Sequence, residues 1–253
     1  MATITFRRGK LPPKIDARTL MFSKYLKPEI PPAPASVDYY KAVQTWPMMG
    51  NDTLGDCTCA AAGHMIQEWT AASTGAGRVI PDKDIVAFYR FFSPAPQDNG
   101  ADMLTVLKTW RKRGIVQDKI QAFVKLAPRN NQEVMQSVDL FGSCYIGVAL
   151  PDSVVPENAD LVSIPWIVPA SGPVGNAAPN PNNGHCIPAV GYDQNNLYVV
   201  TWGTLKTMSW DFYSAYSDEA YGVLSTDFIE KTGKAPNGFD LAALQNDLNA
   251  ITS

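Results

Sequence analysis

The sequence predicts an α+β chain, with helices in its first half and strands in its second. Three observations carry that prediction. Ala-rich and amphipathic segments at helical spacing mark residues 56–113. β-Branched and aromatic runs mark residues 143–224. No internal repeat relates the two halves. Composition narrows the class further. With 45% hydrophobic and 18% charged residues, the chain has the content of a folding sequence and not of a disordered one. A formal net charge of −3 offers no positive field for a phosphate backbone, so no nucleic-acid partner is expected. Apolar runs such as Tyr145–Pro151 fall far short of the ~20 residues a membrane helix needs, so no membrane is expected either. Arg7, Arg8, Lys10 and Lys14 are followed by no apolar stretch, so no secretory signal is expected and the location is read as cytoplasmic or phage-associated. Two histidines and four cysteines are too few for a rich metal cluster, and neither a metal nor a cofactor is expected.

In chain order, residues 1–33 carry Pro12, Pro13, Pro28, Pro31 and Pro32 and predict an extended arm on the surface. Residues 34–230 form the main domain, helical over about 50–115 and β-rich over about 116–230. Its first helix starts from Asp56 in an Ala-rich run and closes at Gly75. A second runs from Pro81 to about Phe92, because Pro suits a first helical turn and Ile85, Phe88, Tyr89 and Phe92 repeat at helical spacing. A third covers Met103–Arg113, with Leu104, Leu107 and Trp110 on one face, Lys108, Arg111, Lys112 and Arg113 on the wet face, and Gly114 as its stop. Strands are expected at Ser143–Leu150, from His185 to Tyr192, at Leu197–Trp202 and at Gly222–Leu224. Pro151–Gly184 reads as loop, with a short strand at Ile164–Val168. Residues 231–253 form a tail whose Leu241, Leu244, Leu248 and Ile251 stripe a short amphipathic helix over Asp240–Ile251.

Cys57 stands in the first turn of the Ala-rich helix, where unpaired backbone N–H groups and the positive helix end favour a thiolate. The same residue type is also common there as a small core side chain. Cys59 points away around that helix and reads as core, as does Cys144 in its strand. His64 lies seven residues after Cys57, about 10.5 Å along a helix at about 1.5 Å per residue, too far for proton transfer. It reads as structural. His185 opens an apolar strand in the other half of the chain. A Cys and a His held on separate lobes can meet as a nucleophile and its base.

Further segments fall into a pattern with these two. Pro34-Ala35-Ser36-Val37-Asp38-Tyr39 places Asp38 19 residues before Cys57, while Asn51 is six before it and Gly55 two. Asn99-Gly100-Ala101 is followed by Leu107 and by Gly114-Ile115, and Ser143–Leu150 makes an apolar strand. His185 is followed by Gly191-Tyr192, then Trp202-Gly203-Thr204, then Tyr221-Gly222-Val223. In this order and at these intervals the sequence resembles the papain-like cysteine peptidases over most of its length.

That resemblance implies a two-lobed papain-like fold, a helical lobe followed by an antiparallel β lobe, with the cleft between them. It implies Cys57 as nucleophile, His185 as base and then acid, and Asn51 with the Cys57 backbone N–H as the oxyanion donors. Asn99, Gly100, Ala101, Cys186 and Trp202 would line the substrate, a peptide or protein. An active pair would be thiolate and imidazolium, so Cys57 is expected to titrate below the ~8.5 of a free cysteine, with the Asp56 charge opposing. The family's third catalytic residue, an Asn two before the tryptophan, is replaced. Counting back from Trp202 gives Val200, and counting forward from His185 gives Thr201, the one of the two able to bond an imidazole. Leu54 and Asp98 stand where the family often has a bridging pair of cysteines, so free thiols and a reducing compartment are expected. The arm is shorter than the family's inhibitory propeptide and is expected across the β lobe or near the cleft, where covering the site would leave the chain latent. The sequence sets no oligomeric state. Two other readings stay open: a papain-like scaffold that has lost activity and serves as a binding or structural protein, and a cell-wall amidase of similar Cys–His geometry.

Overall fold

The computed structural model describes residues 6–155, 162–226, 228 and 238–252. Helix α1 spans Cys57–Thr74 and ends where Gly75, at φ 77°, donates its N–H to the Ala71 carbonyl. It is buried on almost every face, which suits its Ala-rich sequence. Helix α2 covers Asp82–Tyr89, ending short of Phe92, and α3 covers Met103–Arg113, with the Asp102 side chain capping the Thr105 N–H. Two helices carried no sequence signal strong enough to be read. Helix α4, Asn131–Phe141, is short and compositionally mixed, yet Asn130 caps its Glu133 N–H, while Glu133 in turn accepts from the Ala127 N–H. Helix α5, Trp210–Tyr216, is made of aromatic residues with strand preference and is set by the Ser209 cap on the Phe212 N–H.

A six-stranded antiparallel sheet follows in the order β1-β6-β2-β3-β4-β5. The strands are β1 Ala122–Lys125, β2 Cys144–Ala149, β3 Gly184–Tyr192, β4 Asn196–Thr201, β5 Thr204–Ser209 and β6 Ser217–Leu224. β6 begins at Ser217, five positions before the expected Gly222, because its first residues include Asp218 and Glu219, whose charges mask a strand pattern. The expected strand at Ile164–Val168 is a single bridge, in which the Trp166 N–H donates to the Thr207 carbonyl. Alternation along the strands splits the interior in two. Ile146 and Ile187 join a β-lobe core with Phe141, Val199 and Phe212, while their neighbours Tyr145 and Cys186 join a helical-lobe core with Trp69, Leu107 and Trp110. Helix α1 packs on β3, and this seats the first turn of α1 beside the start of β3.

The arm does not simply lie on the surface as expected. Among its described residues the longest continuously exposed run is Leu11–Ile15. Phe22 and Tyr25 are buried in the β-lobe core beside Phe239, since these apolar groups among the prolines have a hydrophobic face to fill. Ahead of them, Phe6–Leu11 runs through the cleft. The expected C-terminal helix is present as α6, Leu241–Thr252, which buries Leu244 and Leu248 and holds Asp247 against Lys24 and the Tyr25 hydroxyl. No described helix is long and apolar enough to cross a membrane.

Candidate active site

Cys57 is the first residue of α1 and only 1% exposed. The loop before it is held from several sides. His64 and Gln67, about two and three turns further along α1, bond the Pro47 and Thr45 carbonyls at 2.8 Å each. Both Asn51 side-chain N–H groups turn inward, to the Leu54 carbonyl and to Asp56 Oδ1, each at 3.1 Å. Asp98, where the family often has one half of a disulfide, accepts from the Gly55 N–H at 2.9 Å and from the Tyr89 hydroxyl at 2.6 Å. A charged hydrogen-bond clasp therefore ties these two loops, and all four cysteines are free thiols.

His185 faces this loop from the start of β3. Its Nε2 lies 2.6 Å from Thr201 Oγ1 at the end of β4. With the proton assigned to Nε2 and given to Thr201, Nδ1 carries the lone pair, and it has no hydrogen-bond partner among the described residues. The Trp202 indole covers the imidazole, with centroids 4.5 Å apart and 23° between the planes. Trp202 reaches it from a hairpin turn in which it and Gly203 adopt φ values of 48° and 68°, the doubly positive pair that a type I′ turn requires. Cys57, His185, Asn51, Thr201, Trp202, Cys186 and His64 all line one small cavity between the lobes.

The arm closes that cavity. The Arg7 N–H donates to the Asn51 carbonyl, and the Trp202 indole N–H donates to the Arg7 carbonyl at 2.9 Å, with Phe6 edge-on to the same indole. On the other side of the nucleophile, the Ala101 N–H donates to the Gly9 carbonyl at 2.8 Å and the Leu11 N–H to the Ala101 carbonyl at 3.1 Å. The Lys10 N–H donates to the Gly184 carbonyl at 3.0 Å. A single extended segment is thus paired with both lobes, as an added strand would be. Gly100, beside Ala101, lies at φ 77° with its N–H given to the Tyr89 hydroxyl, and Asn99 donates its backbone N–H to Ser93 Oγ.

The electrostatics differ from the thiolate–imidazolium pair expected from the sequence. Burial pushes the Cys57 thiol up to about 11, against the opposing pull of the Cys186 and Gly9 N–H groups. Burial likewise lowers His185 to about 3, with Arg8 adding to the shift. The pair is therefore neutral with the arm seated, because neither charged form is solvated. Asp56 is also fully buried, and desolvation drives its carboxyl well above the usual range, while its charge, as expected, pushes the thiol further up.

The sequence reading missed three residues at the cleft. The Lys10 side chain, 1% exposed, enters a pocket where its Nζ lies 2.7 Å from Asp218 Oδ2 and 3.3 Å from Glu219 Oε1. In the sequence Lys10 stands among the basic residues of the arm, and the two acids lie ahead of the expected strand. A lysine in a proline-rich arm and two adjacent acids give no periodic signal; only their pairing across more than 200 positions shows what they do.

No family model matches the chain, and no curated protein sequence matches it. Solved structures do. Xylellain, a cysteine protease from Xylella fastidiosa, superposes with a TM-score of 0.68 at 15% identity, covering 89% of this chain and 98% of its own. Digestive procathepsin L 3 of Tenebrio molitor gives 0.58 at 12% identity over 88% of this chain and 77% of its own. The Carica candamarcensis cysteine protease CMS1MS2, solved with E-64, gives 0.54 at 15% identity over 76% and 99%. At these identities the likeness is one of fold. The chain has the papain-like fold, α+β and two-lobed.

Proposed function

We propose that the protein is a papain-like cysteine peptidase, latent while its own arm fills the cleft. The observation that carries the reading is the placement of Cys57, first residue of α1, and His185, second residue of β3, on one cavity beneath Trp202. Cys57 Sγ attacks the carbonyl carbon of a peptide bond while the thiol proton passes to His185 Nδ1. The carbonyl π electrons move to the oxygen, which the Cys57 backbone N–H stabilises together with the Asn51 amide once it turns from Asp56. Collapse breaks the C–N bond, and the leaving amine takes the proton from Nδ1. Water then attacks the thioester, gives its proton to Nδ1, and the C–S bond breaks. Thr201 positions the imidazole throughout, its hydroxyl oxygen accepting a hydrogen bond from Nε2–H.

The arm supports latency. It occupies the strand positions a substrate would take and deprives the catalytic pair of solvent. A Lys10→Glu full-length chain, in which the arm is repelled by Asp218 and Glu219, tests both parts. Hydrolysis of a casein or fluorogenic peptide substrate is expected to rise over wild type and to vanish when Cys57→Ala is added. Absence of hydrolysis by a folded chain whose Cys57 labels readily would overturn the peptidase reading in favour of an inactive binding scaffold.

A further inference from the structure

The pocket that receives Lys10 opens beside the nucleophile, one residue along the arm from Gly9, whose N–H meets the Cys57 thiol. Its wall is shaped for a narrow alkyl chain. A Cβ on Gly147 of β2 would stand 2.3 Å from Lys10 Cε and 2.8 Å from Met103 Sδ, so the seated lysine stem fills the space that the absent side chain leaves. Its floor is acidic. Asp218 and Glu219 both face the ammonium, and Glu219 is itself 3% exposed. Glu219 Oε2 accepts from the Tyr221 hydroxyl at 2.9 Å, while Oε1, aimed at Lys10, has no hydrogen-bond donor among the described residues. A buried carboxylate with one neutral donor is costly, and the seated lysine removes that cost. With the arm withdrawn, the pocket is a preformed, desolvated receptor for a cation on an alkyl stem, and backbone pairing with Ala101 and Gly184 fixes the entering chain in register.

We propose that this pocket determines specificity: it selects peptides presenting a lysine or arginine side chain at the position that pairs with Ala101, and the chain is latent because Lys10 of its arm imitates that residue. The proposal rests on the reading of the cleft as a peptide-binding site. It requires no catalysis, so the two can fail separately.

The test uses full-length Lys10→Glu protein, whose pocket is vacated, and a fluorescent synthetic peptide with the sequence of Phe6–Lys14. Binding is followed by anisotropy against the same peptide carrying Lys10→Met, which keeps the length and removes the charge. The lysine peptide is expected to bind at least about tenfold more tightly, the scale of a desolvated cation–carboxylate contact. Adding Asp218→Asn and Glu219→Gln to the protein should bring the two peptides within about twofold of each other, since only the ionic contribution is removed. If Lys10→Glu does not fold, Lys10→Ala vacates the same pocket for the same pair of peptides. Equal binding of the two peptides, or no binding of either, overturns the proposal. Products of a peptide library identified by mass spectrometry separate the two readings. Discriminating binding without hydrolysis keeps the pocket and removes the peptidase, whereas hydrolysis with no basic preference removes the pocket alone.

Discussion

Gly9 of the arm and Gly100 of the cleft wall meet backbone to backbone, so closely that a Cβ on Gly100 would stand 2.0 Å from the Gly9 carbonyl oxygen. No side-chain rotation relieves that contact, since the obstructing atom belongs to the main chain. Gly100→Ala is therefore expected to unseat the arm, with some added strain from its positive φ. The check is the rate at which iodoacetamide labels Cys57, which should rise roughly tenfold for each ~1.4 kcal/mol taken from arm seating. A rate unchanged from wild type would show that the arm does not guard the thiol.

Protonation separates the covered from the open site. With Cys57 raised to about 11 and His185 lowered to about 3, the wild-type thiol is neutral at pH 7 and its labelling rate should keep climbing above pH 9. In the Lys10→Glu chain the cavity is hydrated, and the helix end and the imidazole become effective. The inflection should then fall below the ~8.5 of a free cysteine, and His185→Ala should abolish that low-pH reactivity. An inflection that stays high in the open chain would mark Cys57 as an ordinary thiol.

In the proposed mechanism Thr201 acts through His185. Thr201→Val keeps the shape of the side chain and removes the hydroxyl that lies 2.6 Å from Nε2. In the open chain, kcat should fall by about 10- to 100-fold with little change in KM, because the imidazole loses its orientation and tautomer preference. Thr201→Asn, which restores an acceptor, should recover a large part of the rate. A loss shared equally by KM and by thermal stability would point to packing instead.

His64 makes a prediction about stability. Burial lowers it to about 4 from an ordinary 6.5, with the Pro47 hydrogen bond opposing. Between those values the unfolded chain binds a proton that the folded chain refuses, so this residue's contribution to stability falls as pH falls. From pH 7 to pH 5 the loss is about 2 kcal/mol, from about 1.36 kcal/mol per pKa unit. His64→Gln can still donate to the Pro47 carbonyl and does not titrate. Denaturation curves of wild type and variant at both pH values should therefore converge by about that amount at pH 5. A difference independent of pH would mean that His64 is protonated when folded.

Much of this site could be read from the sequence because its signals are local. Cys57 stands at the head of an Ala-rich helix, His185 opens an apolar strand that closes in Gly-Tyr, and Trp202-Gly203 makes a turn that only a narrow set of dihedrals allows. Helix α3 runs from its Asp102 cap to its Gly114 stop as its apolar spacing predicts, since capping and amphipathicity are both written within a dozen residues. Helices α4 and α5 were not legible. Short and mixed in composition, they are stabilised by packing on β6 and β5 more than by their own propensities.

The sequence by itself determined the α+β order of elements, the antiparallel strands that carry His185 and Thr201, and the helix that presents Cys57. Those features follow from periodicity and turn chemistry, which act over a few residues. Tertiary structure alone decided that Lys10 meets Asp218 and Glu219, that Asn51 turns toward Asp56, and that Cys57 and His185 are both neutral. Ion pairing and desolvation depend on distance and on excluded water, and neither exists until the arm has folded back across the cleft.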